Sequence, residues 1–285
     1  CYFLTSLDKG RLQTLPLAFD VNKKEWFDTA ASGLRHFPGG ERSAAVDWKD
    51  YQYTFNTACY GCHVSQISTN YDPKTDTYHT TWTEPGINCE TCHGSSVEHN
   101  KIARETPKDT PLTDLRIIRT KTMTKVQRND LCLSCHAKGS PLTLAYQPEE
   151  RFYDHFDLVT LEDADFYPDG RDLGENYTYT TWSMSSCAKS GKFDCMHCHT
   201  SSGRYRFRKE KFNNACLPCH AERVRNVASH SHHPPESEGS KCISCHMPIR
   251  TYMVVDPRHD HSFRVPRPDQ SISLGTPNAC NDCHR

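Results

Sequence analysis

Apolar residues come in short runs along this chain, and neither a helical nor a strand period is sustained for long. No run approaches the ~20 apolar residues that would span a bilayer. The clearest strand-like patterns lie before residue 58: Leu12-Gln-Thr-Leu-Pro-Leu-Ala-Phe-Asp20, and the aromatic stretch Tyr51-Gln-Tyr-Thr-Phe55. Residues 141–186 are acidic and aromatic, with Asp169-Gly170 as a turn. Elsewhere, cysteine motifs crowd the chain and leave room only for short helices and loops. The pattern predicts about a quarter helix and less than a tenth strand, below the usual shares. The expected fold class is mainly α with low regular secondary structure and a minor N-terminal β portion.

Composition sharpens the picture. Hydrophobic residues make up 35% of the 285, and mean hydropathy is −0.76. Even with glycine added the apolar share is about 40%, against roughly 45–50% for an ordinary globular chain. That is thin for a chain long enough to bury a large core. Seventeen Pro and 14 Gly stop short of a disordered low-complexity composition. The 34 basic and 35 acidic residues nearly cancel, which argues against a nucleic-acid or anionic-membrane binder. Something other than aliphatic side chains must supply the core.

The cysteines identify it. Fourteen of 16 fall into seven C-x-x-C-H motifs: Cys59/Cys62/His63, Cys89/Cys92/His93, Cys132/Cys135/His136, Cys195/Cys198/His199, Cys216/Cys219/His220, Cys242/Cys245/His246 and Cys280/Cys283/His284. This is the attachment pattern of c-type haem. Two thiols a short turn apart reach the vinyl-derived carbons on one porphyrin edge, and the following His projects toward the iron as its proximal ligand. Zinc knuckles and redox dithiols use C-x-x-C pairs without the His, and zinc would group the pairs in twos, whereas seven is odd. With 17 His in 285 residues, His after all seven pairs has a chance probability on the order of 10⁻⁹. The expected cofactor is seven covalently attached haem c groups, whose apolar faces serve as the core. Asn56, Asn129 and Asn213 each precede a first Cys by three residues and are expected to cap the motif helices, with the His on the first or second turn.

Each iron has a second axial position. Ten His lie outside the motifs: His36, His79, His99, His155, His197, His230, His232, His233, His259 and His261. They suffice to close seven irons. His99 follows a Gly94-Ser-Ser96 turn that lets the chain fold over a neighbouring haem. His261 follows a proline-fixed turn, with His259 as its rival. The run His230-Ser-His232-His233 offers one or two ligands. His155 stands among aromatics, and a packed core His is the other reading. His79 and His197 are further candidates, His197 only for an adjacent haem, and His36 has little local context beyond Pro38-Gly39-Gly40. Met184, Met247 and Met253 are rivals; a Met ligand would raise its haem's potential. No C-x-x-C-K motif, the lysine-ligated catalytic haem of multihaem nitrite reductases, is present.

The spacing suggests a haem-free segment over 1–58, a three-haem module over 59–140, a connector over 141–186 and a four-haem module over 187–285. Motif starts lie 30 and 43 residues apart in the first module and 21, 26 and 38 apart in the second, which forces neighbouring haems together. Cys1 and Cys187 lie outside the motifs. They are read as a disulfide, as a lipid-modified Cys1, or as two thiols of a trimmed chain.

Gly10-Arg-Leu-Gln-Thr-Leu-Pro-Leu-Ala-Phe-Asp20, Trp82-Thr-Glu-Pro-Gly-Ile-Asn-Cys-Glu-Thr-Cys-His-Gly94, the block from Cys242 to Pro268 and the block from Leu274 to His284 resemble the multihaem c-type cytochromes that often bear a tetratricopeptide or HEAT-repeat tail. The resemblance covers most of the chain from residue 10. It implies that His99, His261 and one of the 230–233 histidines are distal ligands. Such proteins usually carry a further motif upstream and a repeat tail downstream, neither of which is in this sequence. They also often carry a His shortly after the fourth motif, where this chain has Thr200-Ser-Ser-Gly203.

Together these readings lead to an expectation of electron transfer by a seven-haem cytochrome along closely spaced bis-His haems, in the periplasm or outside the cell. Other redox proteins or cytochromes are the expected partners, and a homo-oligomer or filament through haem-to-haem contacts extends the idea. Two alternatives stand: a multihaem oxidoreductase acting on a small nitrogen or sulfur species at one five-coordinate haem, and a haem-bearing scaffold. A secretion signal is expected to have been removed or to lie outside the chain.

Overall fold

The computed structural model describes residues 1–29, 47–144, 146–162, 165–174, 178–207 and 209–284; His36 lies outside them. Backbone packing divides the chain into two units. The first comprises Cys1–Pro16, Asp47–Cys135 and Gly139–Leu158; the second comprises Leu17–Val46, His136–Lys138 and Val159–Arg285. Short helices, small strand pairs and loops make up both. Of the described residues 38% are helical and 16% lie in strands, more than the sequence pattern predicts. The excess has two sources. Every motif is itself a helical turn. The strands form five two-stranded antiparallel ribbons among the described residues, several well beyond the N-terminal region.

In the first unit, the ribbon Leu4–Ser6/Leu12–Thr14 is fixed by one buried side chain. Gln13 Nε2 donates to the carbonyls of Trp48 (2.7 Å) and Asp50 (2.8 Å), and Gln13 Oε1 accepts from Thr54 Oγ1 at 3.0 Å. Tyr51–Phe55 is not extended, contrary to its aromatic pattern. Asp50 accepts from Gln52 N and starts a helical turn over Tyr51–Tyr53, and the helical segment Phe55–Cys59 runs straight into the first motif. Local capping outweighs β propensity here. The buried apolar cluster of this unit is small: Phe55, Tyr60 and Val64, with Leu12, Cys59 and Ile67 against it.

In the second unit, the hairpin Leu17–Asp20/Glu25–Asp28 turns on Asp20, whose carboxylate accepts from Asn22 N and Lys23 N. The predicted Asp169-Gly170 turn is present. Gly170 takes φ +82°, a region costly for other residues, and Asp169 accepts from Arg171 N while pairing with its guanidinium at 2.7 Å. The turn delivers Asp172 into a pocket formed by Thr181, Tyr252, Asp260 and Arg258. Thr181 Oγ1 donates weakly to Asp172 Oδ2 at 3.5 Å, whereas Oδ1 is buried without a partner. Burial first, and the Asp260 charge second, push the Asp172 pKa up from 3.8 to about 8, against the opposing pull of Thr181 and Arg258.

The sign of the consequence follows from linkage. Between pH 4 and 8 the native state holds a proton that the unfolded chain has released, so stability falls across that window and levels off above it. Asp172→Asn is therefore expected to match the parent near pH 4 and to exceed it at pH 9 by on the order of 1–3 kcal/mol. Guanidinium unfolding at the two pH values checks this; a parent-like pH slope in the variant would refute it.

Candidate haem-binding sites

Each motif is a short helical turn, but the caps are not the residues the spacing suggests. Asn88 accepts from Thr91 N ahead of Cys89–His93, Asp194 accepts from Met196 N ahead of Cys195–Cys198, and Asn278 accepts from Cys280 N and Asn281 N. A carboxamide or carboxylate one or two residues before the first Cys is the signal that sequence reasoning missed. The three Asn further upstream do other work. Asn129 lies inside the helix Lys125–His136. Asn56 is buried: its Oδ1 accepts from Leu12 N at 2.5 Å and its Nδ2 donates to Thr80 Oγ1 at 2.7 Å. Asn213 bridges two motifs, donating to Ser240 O at 3.0 Å and accepting from Cys242 N at 2.9 Å.

The fifth motif departs from the expected geometry. The sequence places His220 on the first or second turn of a motif helix. Instead its backbone takes φ −120° and ψ 36°, which breaks the helix Leu217–Arg225 at that residue. Its side chain is exposed, as is Cys219. The motif turn opens with Pro218, and a separate turn begins after the break, so the ring of His220 is set by a kink and not by a continuous helix. His220 lies within electrostatic reach of His230 on the following helix Val227–Ser231.

The motifs lie close to one another. In the first unit, Cys62 Sγ donates to Cys135 O at 3.7 Å and Cys135 Sγ donates to Gly61 O at 3.6 Å, so the first and third motifs face each other directly. Cys92 of the second is within electrostatic reach of Cys132 and Cys135. In the second unit, Cys198 neighbours Cys216, Cys216 is hydrogen-bonded to Cys242, and Cys245 neighbours Cys280 and Cys283. The motif contacts thus run first–third–second in one unit and fourth–fifth–sixth–seventh in the other. No disulfide joins Cys1 to Cys187 among the described residues; Cys187 lies near Cys198, Cys216 and Cys219.

Whether the residues fit haem can be tested on the His rings. Two imidazoles on opposite sides of one metal ion, each bonded at about 2 Å, hold their ring centroids roughly 6 Å apart. Three pairs of one motif His and one non-motif His stand near that spacing. His199 and His261 lie 6.3 Å apart with their planes 29° apart; His246 and His230 lie 6.2 Å apart at 4°; His284 and His233 lie 5.8 Å apart at 47°. The ribbon Ile249–Tyr252/Asp256–His259 brings His261 into place just beyond its last strand. Burial drives the His261 pKa down to about 4, so the ring is neutral and keeps a lone pair. Its Nδ1 donates to His259 O at 2.8 Å, which leaves Nε2 for a metal. The same Nδ1-to-carbonyl arrangement orients His93 (Ile118 O, 2.8 Å), His246 (Arg264 O, 2.8 Å), His99 (Leu115 O, 2.7 Å), His233 (Ser231 O, 2.6 Å) and His259 (Met247 O, 2.6 Å). The donor set fits covalently held haem.

The other candidates are placed differently. His232 is exposed and closes the helix Val227–Ser231 with φ +59°. His79 is exposed, and its carbonyl accepts from Asn70 Nδ2 at 3.0 Å. His197 lies between the rings of Phe193 and Phe207 with Nε2 3.1 Å from Ala215 O. The Nε2 of His155 meets Glu150. Tyr2 sets its ring edge against His63 at 5.7 Å, and Arg223 stands 3.3 Å from His230 Nδ1. Met253 Sδ accepts from Arg258 at 3.6 Å, and Met247 contributes its carbonyl to His259.

A chain of short helices and ribbons around seven C-x-x-C-H turns has the fold of a multihaem cytochrome. The comparisons give that class its particulars. The family described as cytochrome c554 and c-prime matches residues 26–94, which include the first two motifs. The crystal structure of the outer cell wall cytochrome OcwA superimposes with a TM-score of 0.62 at 19% identity, covering 99% of this chain and 69% of that one. An undecaheme cytochrome from the S-layer of Carboxydothermus ferrireducens aligns over 99% of this chain and 50% of its own, at 16% identity and a TM-score of 0.43. No protein of curated function matches the chain. Among the described residues no helix is long and apolar enough to cross a membrane.

Proposed function

We propose that the chain carries electrons through seven haem c groups, each held by one motif. The observation that carries this reading is the spacing of the His pairs. His261, His230 and His233 complete the irons of His199, His246 and His284, and a six-coordinate iron changes oxidation state with little rearrangement. The remaining distal ligands, for the irons of His63, His93, His136 and His220, come from His79, His99, His155, His197, His232 and His259. The bound haems supply one-electron redox chemistry; the protein fixes their ligands, spacing and surroundings. The motif contacts set the relay order, first–third–second in one unit and fourth to seventh in the other. The seventh motif is an exchange point for a redox partner, since Cys280, Cys283 and His284 are exposed.

Covalent haem attachment places the protein on the outer side of the cytoplasmic membrane, and the likeness to an outer cell wall cytochrome supports that compartment. Stacking of chains through exposed haems would extend the relay into a filament. Electron micrographs showing single particles at every concentration would remove the filament and leave the relay intact. The relay is tested by a potentiometric titration of the purified holoprotein with small redox mediators. Uptake of seven electrons per chain, with rapid equilibration among the haems after flash reduction, is expected. Fewer than seven electrons, or haems reduced independently on slow timescales, would overturn it.

A further inference from the structure

His155 presents an arrangement unlike that of the other candidate ligands. Its Nε2 lies 3.0 Å from Glu150 Oε2, and its side chain is 14% exposed. The Glu150 carboxylate is itself fixed, accepting from Gln147 N at 2.8 Å. The opposite nitrogen, Nδ1, is buried without any partner, and so is the hydroxyl of Tyr146, whose ring stands edge-on to His155 at 5.4 Å. Buried polar atoms are nearly always satisfied, so two orphans side by side point to a group that both would meet. The neighbourhood says which group: Cys92 and Cys132, thiols of two haem motifs, lie within electrostatic reach of Tyr146.

The backbone around His155 is held firmly. Its carbonyl accepts from Leu142 N at 2.8 Å, and Phe152 stacks on Phe156 at 4.8 Å. Arg151 pairs with Asp130 at 2.7 Å, and Gln127 Nε2 donates to Glu149 O at 3.1 Å. These last two contacts fasten residues 149–155 to the helix Lys125–His136, which carries the third motif. A distal ligand must approach its haem from the face opposite that haem's own motif. A segment fastened to the third motif's helix therefore serves a neighbouring haem; the first and second motifs both approach that helix, and Cys92 of the second is the one within electrostatic reach of Tyr146, beside His155.

We infer that His155 is the distal ligand of the haem carried by Cys89, Cys92 and His93, and that it binds iron through Nδ1 while Glu150 accepts the Nε2 proton. This rests on the electron-relay reading and adds to it a positioning residue that tunes one haem. A carboxylate on the ring N–H raises the basicity of the other nitrogen. A more basic axial ligand favours the ferric iron and lowers that haem's potential.

The test uses the full haem-loaded chain. Glu150→Gln removes the charge at a partly exposed position and should leave seven haems in place. One of the seven midpoint potentials is expected to rise while six stay put. His155→Gly should convert one low-spin ferric haem to high spin, and added imidazole should restore it. Were His155 bound through Nε2, Glu150 could not touch that nitrogen and Glu150→Gln would be silent. Seven unmoved potentials in Glu150→Gln, or seven low-spin haems in His155→Gly without imidazole, would overturn the inference. If His155→Gly does not assemble, the Glu150→Gln titration decides alone. A parent protein holding fewer than seven haems, or taking up fewer than seven electrons, would sink the relay reading instead, whatever Glu150→Gln does.

Discussion

A chain produced without attached haem is expected to show no cooperative unfolding transition. Its buried apolar side chains are too few to offset the ordering of the backbone, at ~1–2 kcal/mol per residue. Full burial of a large aliphatic or aromatic side chain returns only about 1.5–3 kcal/mol. The fully buried large apolar side chains among the described residues include Phe152 and Leu133, while Ile272, Val265 and Val97 are 90%, 69% and 68% exposed. Covalent haem faces supply the missing apolar surface. Denaturant titration by far-ultraviolet circular dichroism should give a sharp transition for the haem-loaded protein. The same sequence made without haem-attachment machinery should give a broad, sloping one and be digested rapidly by protease. A sharp transition in the haem-free chain would contradict a haem-built core.

His261→Ala has the second large expected effect. The His199–His261 rings stand at the spacing of a two-histidine iron, and the His261 ring is held neutral by burial and aimed by His259 O. Its loss should open one iron. One of seven low-spin ferric signals should become high spin, that iron should bind added imidazole or cyanide, and its reduced form should bind carbon monoxide. Haem content should stay at seven, because Cys195, Cys198 and His199 are untouched. Replacement of exposed His232 by Ala serves as the comparison and should leave the fourth motif's iron closed. If His261→Ala showed no new high-spin iron, the pairing of His261 with His199 would be wrong.

Covalent chemistry made the proximal half of each site legible in the sequence. Two thioethers must meet one porphyrin edge while one imidazole reaches its iron, so the spacing within each motif leaves little freedom. His220 marks the limit of that rule: the spacing names the residue, but the helix break that sets its ring is a matter of backbone conformation. The distal half depends on tertiary contacts that no local spacing encodes. The residues before His261 suggest a turn, but only the contact of His261 with His199, just beyond the ribbon Ile249–Tyr252/Asp256–His259, shows that the chain returns to the fourth motif. Caps were misread for a similar reason. Asn56 and Asn213 have the right chemistry three residues ahead of a Cys, yet each is drawn into a long-range contact, while Asn88 and Asp194 directly before the Cys close the helix end. Strand content was underestimated because two- to four-residue ribbons leave almost no alternation to read. The proposed Nδ1 ligation by His155 turns on Glu150, five residues away, whose acidity alone gives no hint of such a role.

Electron paramagnetic resonance of the fully oxidised protein at low temperature, with haem quantified per chain, tests the central claim most directly. Seven haems per chain, all low-spin, are predicted, because the proposed relay closes each iron with two protein ligands. A high-spin signal approaching one iron per chain would contradict that account and shift the assignment to an enzyme with an open haem.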